Sequence, residues 1–225
     1  AISFGASTVD GALTAIATTG TITDTGALTV GGAGSFTTAQ NNQVITLDTT
    51  TNAITGAVTF TTNGTTGNVT IDNGTTALDF AASSIDGSLT ATSGNVGGIT
   101  DSGAVAVTGA GSFTTDANSG VLNLNQLAVT GSLTLNTNGT GTATIVNATA
   151  IDLAANTTIG GATSITATTG NITDSGTFTV GAGGATFVTT ANDATINLGT
   201  LAVTGDITLT TNDAVGTDAN ATIVN

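Results

Sequence analysis

Apolar side chains recur along the chain in short bursts at every second position, as in Leu78-x-Phe80, Val105-x-Val107, Leu127-x-Val129 and Leu133-x-Leu135. A period of two places those side chains on one face of a β-strand and hands the intervening Thr, Ser, Asn and Asp to the other. Helical spacing is absent, and Gly, Thr and Asn, which dominate the gaps, are poor helix formers. The pattern predicts an all-β chain of short strands joined by tight turns.

The bursts are themselves repeated. "GTITDTGALTV" (20–30), "GGITDSGAVAV" (97–107) and "GNITDSGTFTV" (170–180) are one phrase, and "AITGAVTF" (53–60), "AVTGSLTL" (128–135) and "AVTGDITL" (202–209) are another. Ile22, Ile99 and Ile172 stand 77 and 73 residues apart. The chain is therefore one array of three repeats of about 75 residues, 1–76, 77–149 and 150–225. Each repeat subdivides into segments of three short strands, about nine in all. One such segment buries little apolar surface alone, whereas stacked segments share a continuous core. The expected fold is a right-handed parallel β-helix, or β-solenoid, of about nine coils, the hand being that of most parallel crossovers. Two length differences bear on phase. Gly161 to Ile165 reads as two residues longer than Gly11 to Leu13, which would preserve the in/out alternation. Val180 to Phe187 is one residue longer than Val107 to Phe113 and carries Gly183-Gly184, which predicts a bulge.

Composition narrows the chemistry. Among 225 residues there is no Lys, Arg, His, Cys, Pro, Met, Trp, Tyr or Glu, and fourteen Asp give a net charge of −14. Without cations the chain has nothing to neutralise phosphates, so nucleic acid and anionic membrane surfaces are disfavoured as partners. Divalent cations such as Ca²⁺ are the natural small partners of an all-Asp surface. No run approaches the length of a membrane span, and no cationic segment precedes an apolar one as in a secretory signal. Without Cys there is neither a disulfide frame nor a thiolate metal site. With no Met to start translation, the sequence reads as a segment of something larger. Catalysis lacks its usual inventory: Asp is the one common acid–base side chain present, with no basic or aromatic group beside it to grip a sugar. No catalytic, cofactor or metal residue is assigned.

The recurrent polar residues read as architecture. Phe36, Phe113 and Phe187 hold equivalent places and are expected in the core. Asp24, Asp101 and Asp174 recur in "ITD[ST]G" and are expected to cap backbone N–H groups at a turn; Ca²⁺ ligation is the other reading, but equivalent copies three coils apart cannot share an ion. Asn73, Asn147 and Asn225 are expected at coil corners, in left-handed turns or ladders. The Asn-x-Thr sequons, such as Asn63-Gly-Thr and Asn147-Ala-Thr, are frequent enough to arise by chance in this composition. Outward Thr14, Thr37, Thr59, Thr90, Thr114, Thr134, Thr166 and Thr208, with Val188 in the remaining coil, line the third strand of each coil. A second Thr follows in some coils (Thr61, Thr92, Thr168, Thr210) and is replaced by Ile16, Ala39 or Asp116 in others. Such a row suits a solvated strand face, and alternatively a surface that binds ice or glycan.

"ITDSGAVAVTGAGSFTT", "NVTIDNGTTALDFAASSIDGSLTATSG" and "LAVTGSLTLNTNGTGTATIV" resemble the repeat region of filamentous-haemagglutinin-like giant adhesins, bacterial exoproteins of the two-partner secretion type. The resemblance spans essentially the whole chain and implies a right-handed β-helical shaft, export to the cell surface or medium, and a role in adhesion or matrix; it supplies no functional residues. The expectation is a non-enzymatic extracellular fibre or adhesin stalk. The chain begins "AISFGASTVDGALTA" and ends "NATIVN", and end followed by start reads like the internal "ATIVNATAIDLAANTTIGGATSITA" (143–167). One period of a longer rod, continuing or self-associating head-to-tail into a filament, is therefore expected.

Overall fold

The computed structural model describes residues 1–154, 156–214 and 218–225, with the backbone alone for Asn118. The described chain contains 29 strands and no helix, and every ladder is parallel. It is a β-helix in which each strand pairs with one about a turn later, 20 to 25 residues on. The alternation dictates the packing. Inward positions are buried to the last few per cent throughout, from Ile22 and Leu28 to Ile196 and Leu198, in one continuous apolar core. Phe36, Phe113 and Phe187 are wholly buried, as expected. Rings of Phe4, Phe36, Phe60, Phe80 and Phe113 form a column with centroids 5.7 to 6.5 Å apart, and Phe178 and Phe187 meet at 5.9 Å.

The turn has two sides. Ile22–Asp24 and Leu28–Val30, with a corner between them, make one; Gly34–Thr38 makes the other. Within a repeat, like stacks on like. At each repeat boundary the sides exchange. The single strand Val58–Thr62 is covered by the two strands Leu78–Phe80 and Ser83–Ile85, and Leu133–Asn138 is likewise covered by Ile151–Leu153 and Thr157–Ile159. On the opposite side Ile45–Leu47 is covered by Val69–Asp72 and then by the single strand Leu89–Ser93. Seven successive pairings lead from Ile2 through Ile22, Ile45, Val69, Leu89, Gly111 and Leu133 to Leu153, two repeats later. Each repeat thus occupies three and a half turns, and the chain about ten rather than nine. The extra half turn is the strand Val69–Asp72, Ala143–Asn147 or Ala221–Ile223, one per repeat. Equivalent residues accordingly alternate: Ile22 and Ile172 lie in one large sheet, Ile99 in the other.

Two local expectations are resolved. Thr163 pairs with Ala143 and takes the inward place of Leu13, so no insertion precedes Ile165. Gly183 and Gly184 do absorb the extra residue before Phe187, both at positive φ, where a side chain would be strained. Gly98 is needed for room as well: at φ 66° a Cβ there would lie against the Val121 carbonyl of the next turn.

Candidate functional site

The groups that stand out are buried polar side chains at the points where the sides exchange. Going from two strands to one leaves the last residue of the two-strand side without a backbone partner in the next turn. Asn73 supplies one: its Oδ1 accepts from Ile54 N (2.8 Å) and its Nδ2 donates to the carbonyls of Ile54 (3.0 Å) and Ala77 (2.9 Å). Asn147 repeats this on Val129 N (2.8 Å) and Val129 O (2.9 Å), with Ala150 O at 3.0 Å. Asn225 does so on Val203 at 2.6 and 3.3 Å. A primary amide presents one acceptor and two donors in a plane, so it stands in for a strand residue. Asn73 and Asn147 are completely buried.

Going from one strand to two raises the converse problem, met by a hydroxyl. Ser83 Oγ accepts from Phe60 N (3.1 Å) and donates to Ala81 O (2.9 Å). Thr157 Oγ1 accepts from Leu135 N (3.4 Å) and donates to Ala154 O (3.0 Å). Ser7 holds the same place in the first repeat and donates to Gly5 O. Among the described residues no buried side-chain N or O is left without a partner. Sequence reasoning missed Ser83 and Thr157, because hydropathy assigns a hydroxyl to the solvent even at an inward place in the alternation. The signal was their recurrence at Ser7, Ser83 and Thr157.

The Asn residues thus have the structural role expected, but not the conformation. Left-handed backbone occurs at Asn42, Ser119, Asn156 and Asp193 instead. Nor do Asn73 and Asn147 form a ladder, since the half turn sets them on opposite sides. Asn147 is buried, so its sequon is not presented at the surface of the folded chain.

The corner aspartates cap backbone N–H groups, though of the following turn rather than their own. Asp24 accepts from Asp48 N and Thr49 N (3.2 and 3.3 Å), Asp101 from Asn125 N and Gln126 N (2.9 and 2.8 Å), and Asp174 from Gly199 N and Thr200 N (2.9 and 2.8 Å). Burial, and secondarily Asp79, pushes the Asp101 carboxyl above its ordinary value against the pull of those two N–H groups. Asp72 is pushed up by burial first and by Asp116, Asp48 and Asp24 after it, against the Gly74 N–H. Among the described residues no three acidic side chains converge as a metal site would require.

These shifts fix a pH dependence. An acid whose pKa is higher folded than unfolded binds its proton more tightly in the native state, so stability rises as pH falls through the raised value toward 3.8. Relief of a charge of −14 acts in the same direction. The urea midpoint is expected to be higher at about pH 5 than at about pH 7, and Asp101→Asn should flatten that difference. A midpoint that falls on acidification would contradict this account.

The outward Thr residues do lie on single-strand sides, but in two rows. Thr14 aligns with Ser35 and Thr59, while Thr37 aligns with Ile16 and Thr61. The second repeat gives Thr90, Ser112, Thr134 and Thr92, Thr114, Asn136; the third gives Ser164, Thr186, Thr208 and Thr166, Val188, Thr210. Because sides exchange, the second set lies in a different sheet from the first and third. Across the first exchange of sides one outward row stays unbroken, Ser3, Thr23, Thr46, Thr70, Thr90, Ser112 and Thr134, but it is one residue wide, because the second Thr row does not continue beside it.

A profile described as "Repeats of unknown function (DUF5649)" matches residues 1–61 and 66–121, just over half the sequence. The chain belongs to this family. No curated protein and no solved structure matches it. The two DUF5649 matches cover the first exchange of sides, with Asn73 and Ser83 inside the second matched segment.

Proposed function

We propose that the chain is a non-enzymatic length-giving element, a stretch of an extracellular β-solenoid fibre or adhesin stalk whose turns continue head-to-tail. The observation that carries the reading is a single apolar core under an unbroken parallel stack, with the same kind of buried polar side chain at each exchange of sides, so that turns can be added without limit. The exchange rule supplies a register for a second copy. Its Ser7 would receive Leu209 N–H, as Ser83 receives Phe60 N–H, and its Leu13 would pair with Ala221, as Thr163 pairs with Ala143. Such a contact is heterologous and does not close. The acidic surface would gather divalent cations diffusely. The alternative of a surface that binds ice or glycan is weaker, because the unbroken Ser/Thr row is one residue wide and the row beside it is interrupted, as where Asp72 pairs with Thr92.

Sedimentation and negative-stain microscopy over rising protein concentration test this reading. Rods whose lengths are multiples of about 50 Å, with strands stacked at about 4.8 Å, are expected. A compact monomer that persists at high concentration would overturn it. The chain holds no Lys or Arg and so no trypsin site, so protection is tested with a broad-specificity protease, against which the ladder should last far longer than a denatured control.

A further inference from the structure

The sequence contains three Asn–Gly pairs, 63–64, 73–74 and 138–139. In such a pair the glycine nitrogen can attack the asparagine side-chain carbonyl, because no Cβ on the following residue obstructs it. What differs among the three is how each is held.

Asn73 is buried, and its amide nitrogen donates to Ile54 O, Ala77 O and Thr76 O. Gly74 N is turned away to Asp72 Oδ1, at 2.8 Å. Asn63 is half-buried; its amide nitrogen donates to Thr38 O at 3.1 Å, and Gly64 N is held by Asp86 Oδ2 at 2.9 Å. Asn138 and Gly139 are both exposed. Gly139 N donates to Oδ1 of Asn138 itself, at 2.8 Å, which brings the nucleophile beside the carbon it would attack. The Asn138 amide nitrogen, the leaving group, donates one long bond of 3.3 Å to Asp116 O.

We propose that Asn138–Gly139 is a site of spontaneous deamidation, selected from three chemically equal pairs by the fold. Gly139 N loses its proton to solvent base and bonds to Asn138 Cγ. Nδ2 takes up a proton from solvent, the Cγ–Nδ2 bond breaks, ammonia leaves, and a succinimide remains. Water then opens either carbonyl, giving aspartate or isoaspartate, each with one more carboxylate on an already acidic rod. The isoaspartyl product carries the main chain through the side chain and displaces the Asn138 carbonyl, which accepts from Ser119 N (2.9 Å) and Gly141 N (3.1 Å). The apolar core is not in its path, since the inward Leu133, Leu135 and Thr137 precede it.

The test is incubation of the folded chain at mildly alkaline pH, with the site of mass gain located by fragmentation of the intact protein. Conversion at Asn138 should outpace that at Asn63 and Asn73 by at least about tenfold, a barrier difference near 1.4 kcal/mol. In denaturant the three should react at similar rates. Asn138→Gln should remove the fast phase while leaving the circular dichroism spectrum unchanged. Equal rates in the folded protein, faster reaction at Asn63 or Asn73, no conversion at Asn138, or a fast phase that survives in N138Q would each overturn the proposal.

Discussion

Asn147→Leu is expected to lower the stability of the folded chain by about 2–6 kcal/mol, the sum for two buried backbone groups left unpaired. Leucine is close to asparagine in shape and suits an apolar interior, so a naive reading of the core would call the change favourable. The hydrogen bonds argue otherwise. Val129 N–H has Asn147 Oδ1 as its acceptor at 2.8 Å, and Ala150 O has Asn147 Nδ2 as its donor at 3.0 Å. Val129 O keeps a second donor in the Thr149 hydroxyl and is not orphaned. Asn73→Leu should behave alike, whereas Asn225→Leu should cost less, because Asn225 is exposed. Urea titration of the three variants measures this ranking. A neutral Asn147→Leu would mean that the amide is not acting as a strand.

Much of the fold was legible because burial and alternation are the same fact on a strand. Leu78, Phe80, Val105 and Val107 point inward wherever the turns are cut, and the 75-residue recurrence needs no geometry to be seen. The count of turns was not legible. "VTIDN" and "ATIVN" alternate like any strand, and nothing in alternation says which side of a solenoid a strand occupies. Counting them as the first strand of a three-strand coil hides the half turn; separately, the likeness of Gly11-x-Leu13-Thr14 to Gly34-x-Phe36-Thr37 sets Thr37 beside Thr14, when it pairs with Ile16. Buried polar residues were hidden for a related reason. Asn73, Asn147, Ser83, Thr157 and Thr163 sit at inward positions, where period two is right about direction but hydropathy is wrong about residue type. Their partners are backbone groups 18 to 23 residues away, visible only once the turns are stacked.

If the half-turn strand is what reverses the rod, removing it should leave a folded protein with its third repeat turned around. Deleting residues 143–149 joins Thr142 to Ala150. The two strands Ile151–Leu153 and Thr157–Ile159 then follow Leu133–Asn138 directly and come to lie on Leu122–Val129, which is itself a two-strand side, pairing with Ile99–Asp101 and Val105–Val107. The single strand Thr163–Ala167 in turn falls on Leu133–Asn138. Like would stack on like, as it does inside every repeat, and Val129 would regain a strand partner without Asn147. Thr100 and Thr173 report the outcome. They are equivalent positions that lie in different sheets of the native rod and would share one in the variant. The chain has no cysteine of its own, so Thr100→Cys and Thr173→Cys can carry spin labels without competition. Three and a half turns and the thickness of the rod separate the native labels by roughly 30 Å, whereas three turns along one side leave roughly 15 Å. A folded variant with the short distance would establish that the fold alternates its faces through this strand. An unfolded variant, or a distance that does not change, would show that the exchange of sides is set elsewhere.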